Sequence, residues 1–262
     1  IDAAIKAAQA GDTVTIKAGT YAQGLNVNKA ITVVGEGEVN FNGKLSITAD
    51  GATVKNLNFK NSDTACYVGA KDVLIEGCTL VGSNGLYQSY TSGTVTFKNS
   101  TITGATYGIH FDGSANGNIV IDNCVITGWT SFAKTIKKVT MSGTTFNEGN
   151  YNYIRFYQEE AVIDGCTFNE KMAVDFAVAG AKATVTDSTV VNGNIEDLFE
   201  GADIVNSTIT VDGVKLVREA KIGDVYYETI AEAIAAVGAG DVVIDLVANA
   251  TLDYKAREAY GT

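Results

Sequence analysis

No proline occurs anywhere in this chain of 262 residues, against an average usage of roughly 5%, and nothing in the residue pattern accounts for so complete an absence. Long apolar runs are also missing. None approaches the roughly 18 residues that a membrane-crossing helix needs, so membrane insertion is excluded, and 46% hydrophobic with 19% charged residues is a soluble, globular balance. Basic residues are scarce: 19 Lys and Arg face 30 Asp and Glu, for a net charge of −11, with the excess acid concentrated in residues 193–262. Such a surface repels phosphate backbones and anionic lipid, which excludes nucleic acid as a partner, and a polyanionic glycan would need bound cations to approach the acidic end. There is one histidine, His110, whereas a zinc site wants clustered ligands at short spacing, so no metal site is expected. The sequence opens at Ile1 without an initiator Met, leader or anchor motif, as expected of a fragment of a longer precursor.

What the chain does have is one pattern repeated eight times. The copies are Ala52-Thr-Val-Lys-Asn-Leu-Asn-Phe59, Val73-Leu-Ile-Glu-Gly-Cys-Thr-Leu80, Val95-Thr-Phe-Lys-Asn-Ser-Thr-Ile102, Ile119-Val-Ile-Asp-Asn-Cys-Val-Ile126, Val139-Thr-Met-Ser-Gly-Thr-Thr-Phe146, Ala161-Val-Ile-Asp-Gly-Cys-Thr-Phe168, Ala183-Thr-Val-Thr-Asp-Ser-Thr-Val190 and Ala202-Asp-Ile-Val-Asn-Ser-Thr-Ile209. Positions one and three are always apolar, the alternation of a strand with one face buried. Position five is always Asn, Gly or Asp (Asn56, Gly77, Asn99, Asn123, Gly143, Gly165, Asp187, Asn206), the residues that tolerate a left-handed backbone and so bend the chain sharply between two strands. A unit of about 22 residues cannot bury its own apolar face, but stacked copies spaced ~4.8 Å apart can. The fold class that follows is all-β, a right-handed parallel β-helix. A β-sandwich of unrelated strands would show no turn residue locked to a fixed recurrence. The core is expected to include Val54, Phe59, Ile75, Leu80, Phe97, Ile102, Ile121, Ile126, Phe146, Ile163 and Phe168.

An open coil end exposes apolar side chains and strand edges. Ile1, Ile5 and Ala8 mark one face of an N-terminal capping helix that Gly11 is placed to end, with a strand resuming at Thr13. The expected organisation is a capped β-helix over residues 1–213 and a small α+β segment over 214–262. Within the latter, Ala220–Thr229 reads as a hairpin leading into a helix, and Ile230–Leu246 echoes the N-terminal segment, so the stretch is either a small strand-helix-strand module or the start of a further repeat unit.

Ala4-Ile-Lys-Ala-Ala8, Gly11-Asp-Thr-Val14, Ala18-Gly-Thr-Tyr21 and Ile31-Thr-Val-Val-Gly35 resemble the opening segment of the pectate-lyase-like β-helix superfamily, and with the repeats this resemblance covers about residues 1–211. The C-terminal stretch is similar to a module repeated in large surface proteins of gut-dwelling bacteria. Together these resemblances imply a secreted or cell-surface protein that serves as an adhesin, a glycan-binding module or a spacer, with an extracellular glycan or host-surface partner. A polysaccharide lyase or glycoside hydrolase is the alternative.

Cys78, Cys124 and Cys166 recur in alternate coils, roughly 9.6 Å apart, beyond the reach of a disulfide. They are expected to be buried free thiols, with Cys66, in a ladder alternating with Ser and Thr. A second column is expected about ten residues after each bend, where Tyr67, Tyr87, His110, Lys134, Arg155 and Asp175 sit between inward neighbours, flanked by Tyr90, Asp112, Asn152 and Tyr157. Tyrosine faces and polar side chains repeating at the coil spacing suit an extended carbohydrate, and the same residues also read as an ordinary solvated outward face. Lyases of the resembled superfamily use a basic group to take the proton beside a uronate carboxylate, which implies roles by residue type alone for Lys134, Arg155 and His110, with Ca2+ entering only under that reading. The Arg-x-Pro lyase signature cannot occur in a chain without proline, and the paired-aspartate and Gly-His-Gly signatures of galacturonan hydrolases are absent. A further outward column, Thr79, Thr101, Thr145, Thr167, Thr189 and Thr208, has the residue type of ice-binding β-helices, but uneven coil steps spoil the lattice and Thr is simply favoured on strands.

Overall fold

The computed structural model describes residues 1–111, 115–158, 160–169, 172–178, 181–191, 199–200, 202–205, 207–238 and 240–247. Its strands stack in parallel, coil on coil, into three faces. Face A holds Thr53–Lys55, Val73–Glu76, Thr94–Lys98, Asn118–Asp122, Lys138–Ser142, Glu160–Asp164 and Ala181–Thr186. Its inward column runs Val33, Val54, Ile75, Phe97, Ile121, Met141, Ile163, Val185 in unbroken register. Face B begins after the bend and stacks Phe41, Phe59, Leu80, Ile102, Ile126, Phe146, Phe168 and Val190. All of the expected core residues are buried in one cluster. Like stacks on like: Phe41 on Phe59 at 4.8 Å and 10°, and Phe146 on Phe168 at 5.5 Å and 9°.

The bend is the residue that the pattern picks out. Asn56, Gly77, Asn99, Asn123, Gly143, Gly165 and Asp187 all have φ between 47° and 63°, and Asn206 lies outside the described residues. At the bend the strand ladder is interrupted, and the next residue repairs it. Ser100 Oγ, Thr144 Oγ1 and Ser188 Oγ accept the backbone N–H of Cys78, Cys124 and Cys166 in the coil before, at 3.1, 3.2 and 3.1 Å, and each hydroxyl donates to the carbonyl two residues back in its own chain. All four cysteines are free and buried. Burial pushes the thiols of Cys78, Cys124 and Cys166 up to about 11 and that of Cys66 higher still.

Outside this bend, position four of the repeat forms a ladder of alternating charge. Lys55 pairs with Glu76 at 2.8 Å and Lys98 with Asp122 at 3.0 Å. The Thr column is outward but broken by Val125, which stands between Thr101 and Thr145.

Both ends differ in detail from expectation. The N-terminal helix spans Asp2–Ala7 and buries Ile5 and Ala8 against the core. It stops at Ala8 rather than at Gly11, because the chain must leave the helix early for the Gly11 N–H to reach the Ala30 carbonyl at 2.8 Å. In the last coil Ile204, not Ala202, pairs in register with Ala183, and Thr210, not Thr208, pairs with Thr189. The eighth copy is therefore shifted by two residues from its sequence alignment, one full period of a strand. That coil is closed by an antiparallel strand: Asp212 and Gly213, both with positive φ, turn the chain so that Val214–Arg218 pairs back on Ser207–Val211. Next come the hairpin Ala220–Ile222 with Val225–Tyr227 and a helix over Ile230–Ala236, where Thr229 caps the helix by accepting the Glu232 N–H. Ala220, Ile230 and Ala233 form a small core of their own.

Candidate functional site

Face C closes each coil. It comprises Thr64–Val68, the ends of Thr79–Ser89, Thr101–Phe111 and Val125–Ser131, then Tyr153–Phe156, Ala173–Phe176 and Phe199–Glu200. Inward positions carry Cys66, Leu86, Ile109, Thr130, Ile154 and Val174, all buried, in register from coil to coil. The next residue of each strand then faces out: Tyr67, Tyr87, His110, Ser131, Arg155 and Asp175. Five of the six side chains expected in this column are there.

Lys134 is not. Its place is taken by Ser131, which pairs with His110 on one side and Arg155 on the other. The cause is local. Gly128 adopts φ +101° and ends face B early, so Thr130 and Phe132 supply the buried neighbours and Lys134 falls three residues later, on an exposed turn. Thr135, expected inward, is exposed there and its hydroxyl donates to the Ala115 carbonyl. Gln88, also expected inward, is exposed with φ +49°. The strand bulges at that point, Ser89 takes the buried position, and the Gln88 N–H is given to His110 Nδ1 at 3.2 Å.

The structure adds a second row that spacing alone did not reveal. Tyr107 and Trp129 pair in register and stack at 4.9 Å and 21°. Tyr87 lies 5.1 Å from Tyr107, His110 wedges against both at 4.9 and 4.8 Å, and Tyr151 continues the row 5.7 Å beyond Trp129. Four coils thus present one continuous aromatic strip. It is built on glycine: a Cβ on Gly104 would lie 1.8 Å from the Tyr107 carbonyl oxygen, and one on Gly128 would lie 2.1 Å from the Gly104 carbonyl oxygen. Only without those atoms can the corners between faces B and C pack closely enough to stack the rings. The Trp129 ring is partly exposed while its Nε1 is enclosed and without a hydrogen-bond partner, so the indole offers carbon, not its N–H, to the surface. Partial burial, then the neighbouring Tyr87 and Tyr151, raises the Tyr107 hydroxyl above its ordinary range, leaving it protonated as a donor.

Beside the strip stands an ion pair. Arg155 Nε donates to Asp175 Oδ2 at 2.6 Å, with side chains 36% and 21% exposed, and this bond raises the guanidinium further above its ordinary range. The guanidinium also lies 5.8 Å from the Trp129 ring centroid. At the other end, the Lys44 ammonium lies 6.0 Å from the Tyr67 ring. Of the flanking residues, Tyr90 is exposed, Asn152 and Tyr157 are half-buried, and Asp112 lies outside the described residues. His110 and Arg155 therefore share a face, but Lys134 does not join them, so the trio of basic groups is not assembled. Face B carries a concavity of about 500 Å3 over Thr20, Asn40, Asn58, Lys60 and Thr79, but its rings, Phe41 and Phe59, are buried.

A family model described as the right handed beta helix region matches residues 43–216. The chain belongs to that family. Comparison of this β-helix protein with curated proteins gives no match. Among solved structures, two of pectin methylesterase in complex with hexasaccharides are 13% and 14% identical to it, each covering 90% of both chains with a TM-score of 0.50. An alginate lyase of polysaccharide lyase family 6 is 11% identical, covering 83% of this chain and 42% of its own, with a TM-score of 0.45. These are likenesses of fold. No helix of the described residues is long and apolar enough to cross a membrane.

Proposed function

We propose that this β-helix protein is a secreted or cell-surface module that binds an extended glycan along face C. The observation that carries the reading is the strip Tyr87, Tyr107, Trp129 and Tyr151, four aromatic side chains from successive coils held side by side on an outward surface. Ring faces pack against the C–H surfaces of sugars, and His110, Ser131 and the Arg155–Asp175 pair border them with hydrogen-bonding groups. Pectin methylesterase structures of similar fold are in complex with hexasaccharides, so the fold is compatible with such a ligand. The reading is of binding rather than turnover because Lys134 stands away from the column and Arg155 is neutralised by Asp175. Residues 214–262, which resemble a repeated module of bacterial surface proteins, favour the extracellular setting and an adhesive or spacing role.

A shallow surface buries little area per sugar, so affinity is expected between about micromolar and millimolar. A glycan array probed with the whole chain, followed by calorimetric titration of each hit, tests the proposal. Trp129→Ala and Tyr107→Ala should each weaken binding about tenfold or more while far-UV circular dichroism is unchanged. Hits that bind both variants as well as the parent chain would overturn it.

A further inference from the structure

We infer that face C selects glycans of neutral sugars over chains of uronates. The inference rests on the glycan-binding reading above and adds the substrate class. The guanidinium on the face is compensated. Arg155 is the one guanidinium among its described residues, and Asp175 holds its Nε at 2.6 Å. His110 Nδ1 accepts the Gln88 N–H at 3.2 Å. The strip between them presents the faces of Tyr87, Tyr107 and Trp129, and ring faces are the negative pole of the aromatic quadrupole, which attracts cations and repels carboxylates. The whole chain carries −11, so the long-range field also opposes a polyanion. Lys44, near Tyr67, is a cation at the opposite end. One ammonium there cannot serve a uronate chain laid along several coils.

A neutral chain meets none of these penalties. Its C–H faces can lie on the rings while its hydroxyls reach Ser131 and the outer oxygens of Asp175. Association of this kind is insensitive to salt, whereas binding of a polyanion is not.

The test is calorimetric titration of the whole chain with two sets of probes of equal length: neutral hexasaccharides (cellohexaose, mannohexaose, xylohexaose and maltohexaose) and hexagalacturonate, each at about 20 and 500 mM NaCl. At least one neutral probe is expected to bind tenfold or more tighter than hexagalacturonate, with less than twofold change between the two salts. Asp175→Asn, which frees the Arg155 charge, is expected to strengthen hexagalacturonate binding severalfold at low salt. Hexagalacturonate binding as tightly as the best neutral probe, in a manner lost in Trp129→Ala, would overturn the neutral preference and leave glycan binding at face C standing. No binding of either class would remove both.

Discussion

The left-handed bend is the most exacting point in the fold, and Asn123 isolates its two contributions. The residue has φ 51°, and its Nδ2 donates to Asn99 Oδ1 in the neighbouring coil at 2.7 Å. Asn123→Ala removes the amide bond, a net loss of about 1 kcal/mol or less at an exposed site, and places a Cβ-bearing residue without local polar compensation in a conformation that costs roughly 1–2 kcal/mol. The expected total is about 2 kcal/mol. Asn123→Gly loses the same amide bond but adopts the bend without steric cost, so it is expected to cost about 1 kcal/mol. Urea unfolding followed by circular dichroism and by Trp129 fluorescence measures both variants, the two probes guarding against coil-by-coil unfolding of a repeat stack. The Ala variant should have the lower midpoint by both probes. Equal midpoints for Ala and Gly would mean that the left-handed conformation is not what position five selects, and the reasoning from the repeat would fail.

Other consequences are open to direct measurement. Thiol titration with a chromogenic disulfide reagent near pH 8 should find no reactive cysteine in the folded chain and four after denaturation without reductant, because the thiols are buried and three of them are pushed up to about 11; fewer than four would reveal a bridge. Ser100→Ala should cost about 1–3 kcal/mol in unfolding free energy, since it strands the buried Cys78 N–H, and a neutral substitution would show that another acceptor serves that group. The Lys98 bond holds the Asp122 carboxylate below its ordinary range. Its stabilisation is therefore present above the unfolded-state value and is lost as pH falls through the lowered one. Asp122→Asn should accordingly lower stability near neutrality by no more than about 1 kcal/mol, given its exposure, and the variant and parent curves should converge in acid; curves parallel at all pH values would assign the effect to packing. Gly128→Ala, which aims a Cβ at the Gly104 carbonyl oxygen, should both destabilise the chain and weaken glycan binding.

The fold was legible because its information is periodic. Each copy repeats the same inward pair and the same bend residue, so errors in one coil are corrected by the next, and Val54 through Phe168 could be placed in the core by alternation alone. The site was less legible because it lies where periodicity fails. Lys134 was misplaced since counting from Asn123 ignores the early exit forced by Gly128. Gln88 was misplaced since a bulge shifts the register by one and turns it out. Tyr107, Trp129 and Tyr151 do not follow from a pattern of one outward residue per coil, because they sit at corners where the strand turns rather than on its straight run. A usable signal was present: Gly104 and Gly108 flank Tyr107, and Gly128 precedes the single Trp. Glycine beside an aromatic at successive coil corners marks a place where backbones approach and rings must go outward.

Because Trp129 is the single tryptophan of the chain and stands in the middle of the strip, its fluorescence reports on that surface alone. The most direct measurement is to titrate the whole chain with each neutral hexasaccharide while following this emission. Glycan binding at face C predicts a saturable shift for at least one sugar, with a midpoint matching the calorimetric dissociation constant and weakened by Tyr107→Ala. Calorimetric binding with no change in Trp129 emission and no effect of Tyr107→Ala would place the glycan elsewhere and contradict the assignment of the site.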